Sequence, residues 1–248
     1  MRWPMTLSTQ GFHTTRWTLV RNARGKSPEA GQALSDLCAT YYAPVVAFLR
    51  REGRDDDAAR ELAHQFFAKV LAGDSLGGVE RERGRFRSYL LGAVKHFLAN
   101  HGRDAAREKR GGGAEHVVIR ETTDTAPGIE VADSSSLAVN AEADAAFDRQ
   151  WARAIVERSL ALLESESESA GQSAQFAALK PWLSPAASRA SQADTAAQLG
   201  LSEGALKVAI HRLRRRFRDI TRAEIAQTLH NTADLDDEMR HLVEALAG

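Results

Sequence analysis

Residues 191–217 read SQADTAAQLGLSEGALKVAIHRLRRRF, and the fold turns on this stretch. Ser191, with Asp194 three residues on, forms an amino-cap pair, in which side-chain oxygens accept from the unpaired amides of a first helical turn. Thr195, Ala196 and Leu199 then face inward, and Gly200 closes the short helix in the left-handed conformation that glycine adopts without penalty. Ser202 suits the cap of a second helix. In that helix Leu206, Ile210, Leu213 and Phe217 share one face, while Lys207, His211, Arg214 and Arg218 share another with Arg215 beside them. Short helix, glycine turn and basic helix is the layout of a helix-turn-helix, whose second helix enters the major groove of DNA. Residues near the start of an inserted helix reach base edges, so Glu203, Lys207 and His211 are the candidates for reading sequence. Arg212, Arg214, Arg215 and Arg216 sit further along and suit phosphate neutralisation, with Arg218 extending the same face. The plainer alternative is an amphipathic helix with a solvated basic face. It is the weaker one here because turn chemistry and basic excess coincide.

Working outward, the charge balance first argues against a polyanionic partner, since 33 Lys and Arg match 33 Asp and Glu. The average hides a segregation along the chain. Arg2, Arg16, Arg21, Arg24 and Lys26 precede the first acid, Glu29, and a second basic block runs over residues 81–110. The stretch between that block and the helix-turn-helix is acidic, with Glu121, Asp124, Glu130, Asp133, Glu142, Asp144 and Asp148, then Glu164, Glu166 and Glu168. Two basic surfaces separated by acid suggest two DNA contacts.

Hydrophobic spacing predicts further helices. Ala33, Leu34, Leu37, Cys38, Tyr41, Val45, Phe48 and Leu49 follow helical period up to Gly53, with Pro44 marking a kink or the first turn of a new helix. Asp55, Asp56 and Asp57 suit the positive end of the next helix, whose apolar stripe includes Ala59, Leu62, Ala63, Phe66, Phe67 and Val70. After a glycine-containing loop, Phe86, Tyr89, Leu90, Val94, Phe97 and Leu98 mark a long helix, and Phe86, Tyr89 and Phe97 are expected in the core rather than free to stack. Gly111, Gly112 and Gly113 open an aperiodic linker. Phe147, Trp151, Ile155 and Leu162 resume the pattern, the low-complexity 164–169 run is expected to be an exposed loop, and a short helix over 176–183 follows. The expected fold is all-α: a basic arm (1–26), a helical domain (27–110), a flexible acidic linker (111–140), a helix-turn-helix domain (141–229) and an amphipathic extension (230–248).

The residues also argue against other chemistries. Cys38 is the only cysteine, which excludes an intramolecular disulfide, and its place in an apolar stripe points to a buried thiol rather than a nucleophile. The eight histidines include no His-Glu-x-x-His, so neither a metal nor another cofactor is expected. No paired acids or nucleophile stand at catalytic spacing, so no enzyme is expected. Without a charged-then-apolar leader or a long uncharged apolar run, the expectation is a cytoplasmic protein with no membrane span. Trp17, Trp151 and Trp182 are expected to anchor packing.

The segment ADTAAQLGLSEGALKVAIHRLRRRFRDI (193–220) resembles the promoter-binding domain of extracytoplasmic-function sigma factors, subunits of bacterial RNA polymerase. TTRWTLV (14–20), ELAHQFFAKVL (61–71) and RGRFRSYLLGAVKHFLANHGRDAAREKRGGG (83–113) resemble the amino-terminal domain of a subgroup of that family. The resemblance covers nearly all of residues 12–113 and about 141–227, and its strength lies in the order and spacing of the segments.

The resemblance implies that the helix over 55–71 meets the clamp helices of the polymerase's largest subunit, with Asp55, Asp56, Asp57, Glu61, Leu62, Gln65 and Phe66 as its contact set. Many family members open this helix with an acidic tract; here Ala58, Ala59, Arg60 and Glu61 stand there and Gln65 replaces a frequent Glu, so Asp55, Asp56 and Asp57 supply the missing charge from the preceding turn. It further implies that residues 72–103 melt the downstream promoter element, with Arg83, Arg85, Arg87, Lys95, His96, Asn100 and Arg103 holding the opened strand, and Arg107, Lys109 and Arg110 touching duplex phosphates. The implied partners are core polymerase, through its clamp helices and flap, and promoter DNA, with an anti-sigma protein or a regulatory kinase as a further candidate. The competing expectation is a polymerase-independent regulator that binds palindromic sites as a dimer. Leu235, Met239, Leu242, Val243 and Leu246 mark a last helix with an acidic start, which either packs on the basic regions and restrains DNA binding or completes a core.

Overall fold

A computed structural model of the protein describes residues 15–22, 27–72, 85–110, 140–184 and 192–248. All regular structure among these is helical, in keeping with the expected all-α class. The helices are α1 (Arg16–Asn22), α2 (Pro28–Arg51), α3 (Asp56–Ala72), α4 (Phe86–Arg110), α5 (Ala141–Ser169), α6 (Ser173–Leu179), α7 (Gln192–Gln198), α8 (Glu203–Ala226) and α9 (Leu235–Ala247). Residues 111–139 of the expected linker (111–140), Ser191 of the expected cap pair, and residues 73–84 lie outside the described residues.

Local chemistry explains where the helices start and stop. Ser27 Oγ accepts from the Ala30 amide at 3.1 Å, and Pro28 occupies the first turn of α2, where its missing N–H costs nothing. The helix runs unbroken through Pro44, so that proline does not begin a new helix. Gly53 ends it with φ of 82°. Asp55 Oδ1 accepts from the Ala58 amide at 2.8 Å at the head of α3. Asn140 Oδ1 does the same for Ala143 at 3.2 Å at the head of α5.

The 164–169 run is helical rather than the expected loop, being the last turns of α5. Ser167 is fully buried and donates to the Leu163 carbonyl at 2.7 Å, and Ser169 donates to Ser165 at 2.9 Å. Each serine satisfies its hydroxyl against its own helix. A repetitive Glu-Ser sequence therefore stays helical, because its one inward position carries a small side chain.

Two buried clusters organise the chain. The larger gathers Trp17, Tyr41, Phe48, Phe66, Phe86, Phe97, Phe147 and Trp151 from α1 to α5, together with Ile225, Leu229 and Leu242. The smaller holds Leu163, Phe176, Leu179, Trp182, Ala196, Leu206, Ile210, Leu213 and Ile220. Fully burying one large apolar side chain contributes about 1.5–3 kcal/mol, several times a typical helix-propensity difference, so these clusters set the helix positions. Helices α5 and α8 both contribute to both clusters. The expected core roles of Phe86, Tyr89, Phe97 and the three tryptophans hold, and Cys38 is buried. Burial pushes the Cys38 thiol pKa up to about 12.

Candidate nucleic-acid interface

Helices α7 and α8 meet through the turn that the sequence requires. Gly200 has φ of 63°, Leu201 N donates to the Ala196 carbonyl at 2.9 Å, and Gly200 N donates to Ala197 at 3.1 Å. Ser202 Oγ then accepts from the Ala205 amide at 3.2 Å and starts α8. Leu206, Ile210 and Leu213 are buried, which turns the opposite face outward. Glu203, Lys207, His211, Arg212, Arg214, Arg215 and Arg218 are all exposed.

Arg214 and Arg216 of the expected phosphate set make hydrogen bonds within the protein. Arg214 Nε donates to the Trp182 carbonyl at 2.9 Å. Arg216 Nε donates to Glu166 Oε2 at 2.9 Å, and its Nη2 bonds the other carboxylate oxygen. The hydrogen bonds that Arg216 donates to Glu166 raise its pKa; partial burial opposes this, and the charges of Glu166 and Asp219 add to the rise. Arg216 thus braces α8 against α5, while Lys207, Arg215 and Arg218 give the outward face its positive charge and His211 is exposed as well.

The α4 set divides differently. Arg83 lies outside the described residues, as do the side chains of Arg107, Lys109 and Arg110. Arg85 Nη1 bonds Glu238 Oε2 at 3.1 Å, and its Nη2 lies 3.7 Å from Asp234 and 3.9 Å from Asp237. Arg87 is buried: Nε donates to Glu238 Oε1 at 2.8 Å, Nη1 donates to Asp148 Oδ1 at 2.7 Å, and the guanidinium sits 5.2 Å from the centre of the Trp151 ring. Burial alone would lower the Arg87 pKa, but the hydrogen bond and charge of Glu238, with Asp148, hold it above its ordinary value. Lys95 Nζ donates to Asp144 at 2.7 Å. His96 is half-buried, and Asn100 and Arg103 are exposed with Arg103 Nη2 donating to Asn100 at 2.8 Å. Arg85, Arg87 and Lys95 are therefore paired with acids, and Arg103, further along α4, is exposed.

On α3, Asp55, Asp57, Glu61 and Gln65 are exposed, and Gln65 Nε2 donates to Glu61 at 2.9 Å. Asp56 pairs with Arg50 at 2.7 Å and with Arg60 at 3.7 Å. Leu62 and Phe66 point into the core, so they position the helix rather than offer a surface.

Sequence reasoning missed the acids that hold the α4 cations. Glu238 carried a readable signal: it lies three residues after Leu235 and four before Leu242, on the apolar side of α9. Asp144 and Asp148 similarly flank Phe147 near Trp151. A charged residue inside an apolar stripe needs an opposite charge nearby, because an unpaired buried carboxylate is too costly.

The residues that follow α8 are also hydrogen-bonded through their carbonyls to the heads of α4 and α1. Phe86 N donates to Thr228 O at 2.9 Å, Trp17 N to Gln227 O at 3.1 Å, and Thr15 Oγ1 to Leu229 O at 2.7 Å. The end of the helix-turn-helix segment is thereby fixed to the head of α4.

Among the described residues no group of three or more His, Cys, Asp or Glu could hold a metal ion, and no helix is long and apolar enough to cross a membrane. No family model, curated protein or solved structure matches this chain.

Proposed function

We propose that the protein is a sigma subunit of bacterial RNA polymerase, of the extracytoplasmic-function type, that directs transcription to chosen promoters. The observation that carries this reading is the α7–α8 pair: a glycine turn with φ of 63° followed by a helix whose inner face is buried and whose outer face presents Lys207, His211, Arg215 and Arg218. That arrangement suits a helix seated in the major groove, with Glu203, Lys207 and His211 toward base edges and the later arginines toward phosphates.

A helix-turn-helix alone does not separate a sigma subunit from a free-standing regulator. The sigma reading draws additional support from α3 and α4. Asp55 at the head of α3 and Asp57, Glu61 and Gln65 within it are exposed, an acid-rich surface suited to a basic partner helix. Helix α4 exposes Asn100 and Arg103 on a second, separate polar and cationic site, and its sequence runs on through Arg107, Lys109 and Arg110. A dimeric regulator has no need of either. Run-off transcription with core polymerase tests the proposal, and a dimer bound to palindromic DNA without polymerase would favour the alternative.

A further inference from the structure

Two helices run unbroken through both buried clusters. Helix α5 gives Phe147, Trp151 and Ile155 to the larger cluster and Leu163 to the smaller, and α8 gives Leu206, Ile210, Leu213 and Ile220 to the smaller and Ile225 to the larger. The two helices are also joined by charge: Arg216 pairs with Glu166 and Arg158 with Glu224, each at 2.5 Å. The pairs step from 166 to 158 on α5 and from 216 to 224 on α8, so the helices lie antiparallel over about 12 Å. Sharp bends arise at proline, at glycine or where the hydrogen-bond ladder is interrupted. Neither helix contains proline, and their one glycine, Gly204, sits in the first turn of α8. A hinge between the clusters would have to break two packed helices at once.

The far end of α8 is closed as well. Glu224 lies 3.6 Å from Arg16, whose backbone N donates to Gln227 Oε1 at 3.2 Å, and Leu229 is fully buried where it pairs with Arg85 before α4.

Helix α5 also sets a length. Helix α4 runs from Arg87 at Asp148 to Lys95 at Asp144, away from α8. Lys95 at Asp144 and Arg216 at Glu166 are held 22 residues apart on α5, or about 33 Å. Arg103 is exposed eight residues beyond Lys95 and adds at most about 12 Å. Arg215 and Arg218 are exposed beside Arg216 at the other end.

We propose that α5 and α8 form a rigid beam that offers two contacts to one DNA duplex, Arg215 with Arg218 of α8 and Asn100 with Arg103 of α4. Their separation is fixed at no more than about 45 Å, or about 13 base pairs at ~3.4 Å each. The proposal rests on the reading of both helices as DNA-contacting. The fold of the free chain sets this spacing, without polymerase and without the connection through residues 111–139.

Two measurements on the full chain separate the beam from the DNA contacts. Spin labels at exposed positions of α3 and α7, Ala68→Cys and Gln198→Cys, report the distance between the clusters by pulsed dipolar spectroscopy, with buried Cys38 left in place. Hydroxyl-radical footprints on several long duplexes selected for binding report the contacts.

The proposal expects one narrow distance and two protected patches, their centres at most about 13 base pairs apart and equally spaced on every sequence. Arg103→Ala should erase one patch, and Arg215→Ala/Arg218→Ala the other. A broad or bimodal distance overturns the beam. A narrow distance with a single patch, or with patches whose spacing varies, overturns the proposal and leaves DNA contact by α8 standing. No protection on any duplex overturns the proposal and the DNA reading together.

Discussion

Glu238 and Arg87 stand 151 residues apart in sequence and meet inside the protein, with Nε 2.8 Å from Oε1. Asp148 takes another nitrogen of the same guanidinium at 2.7 Å, so one arginine joins α4, α5 and α9. Removing one partner of such a pair leaves a buried charge without compensation, at a cost of about 3–5 kcal/mol. That is a large share of the roughly 5–15 kcal/mol by which domains are stable. Glu238→Ala is therefore expected to lower the urea midpoint sharply, and replacing both members by apolar residues, Arg87→Met with Glu238→Leu, to recover much of the loss. A single variant within about 0.5 kcal/mol of wild type would contradict the assignment of this pair as a structural pivot.

The turn of the helix-turn-helix gives a second expectation. Gly200 has φ of 63°, and a Cβ added there meets nothing within 4 Å. The cost of a side chain is then conformational alone, about 1–2 kcal/mol. Gly200→Ala should lower the melting temperature, and Gly200→Asn should cost less because asparagine tolerates left-handed backbone. Equal stability of Gly200→Ala and wild type would mean that the turn relaxes into another conformation.

Much of the fold was legible because apolar period and helix punctuation coincide in this chain. Ser202, Gly200, Asp55 and Gly53 each do in the structure what their chemistry requires. The 164–169 run misled because its composition resembles a solvated linker, whereas one small inward residue, Ser167, is enough to keep a helix packed. The positions of the candidate charges were legible, but their pairing was not. Arg87 and Lys95 look like free cations from local sequence, and only tertiary contacts with Glu238, Asp148 and Asp144 show how they are held. Ion pairs across distant helices leave no local period to read.

The α8 arginines should separate by role. Arg215 and Arg218 are exposed, whereas Arg216 is tied to Glu166. Arg215→Ala and Arg218→Ala should each weaken DNA binding uniformly across sequences and reduce the magnitude of the salt slope by about one. Arg216→Ala should act chiefly on stability, and Lys207→Ala should change sequence preference. Titrations of a specific and a scrambled duplex at several salt concentrations check this, and a uniform loss from Lys207→Ala would remove it from base reading.

Buried Cys38 and Tyr41 make stability fall at alkaline pH. Burial raises the Cys38 pKa from 9.0 to about 12, and burial followed by the charge of Glu238 raises that of Tyr41. Above about pH 9 the unfolded thiol releases a proton that the folded one keeps. The unfolded state then binds fewer protons, so the unfolding free energy drops as pH rises, by at most about 1.4 kcal/mol per unit for one group. Tyr41 adds the same sign above its ordinary value of 10.0. Cys38→Ala should flatten the slope between pH 9 and 10 in urea unfolding, and a native Cys38 should resist thiol reagents until the chain unfolds.

Glu61 is exposed on α3 and, among the described residues, accepts from Gln65 of its own helix at 2.9 Å, so reversing its charge alters the surface without disturbing the core. Run-off transcription with purified core polymerase, on promoters selected from a genomic pool, compares wild type with Glu61→Lys. The account predicts transcripts that require both core enzyme and this protein and that Glu61→Lys weakens at unchanged DNA affinity. Specific DNA binding with no core-dependent transcript would contradict the sigma reading and leave a free-standing regulator.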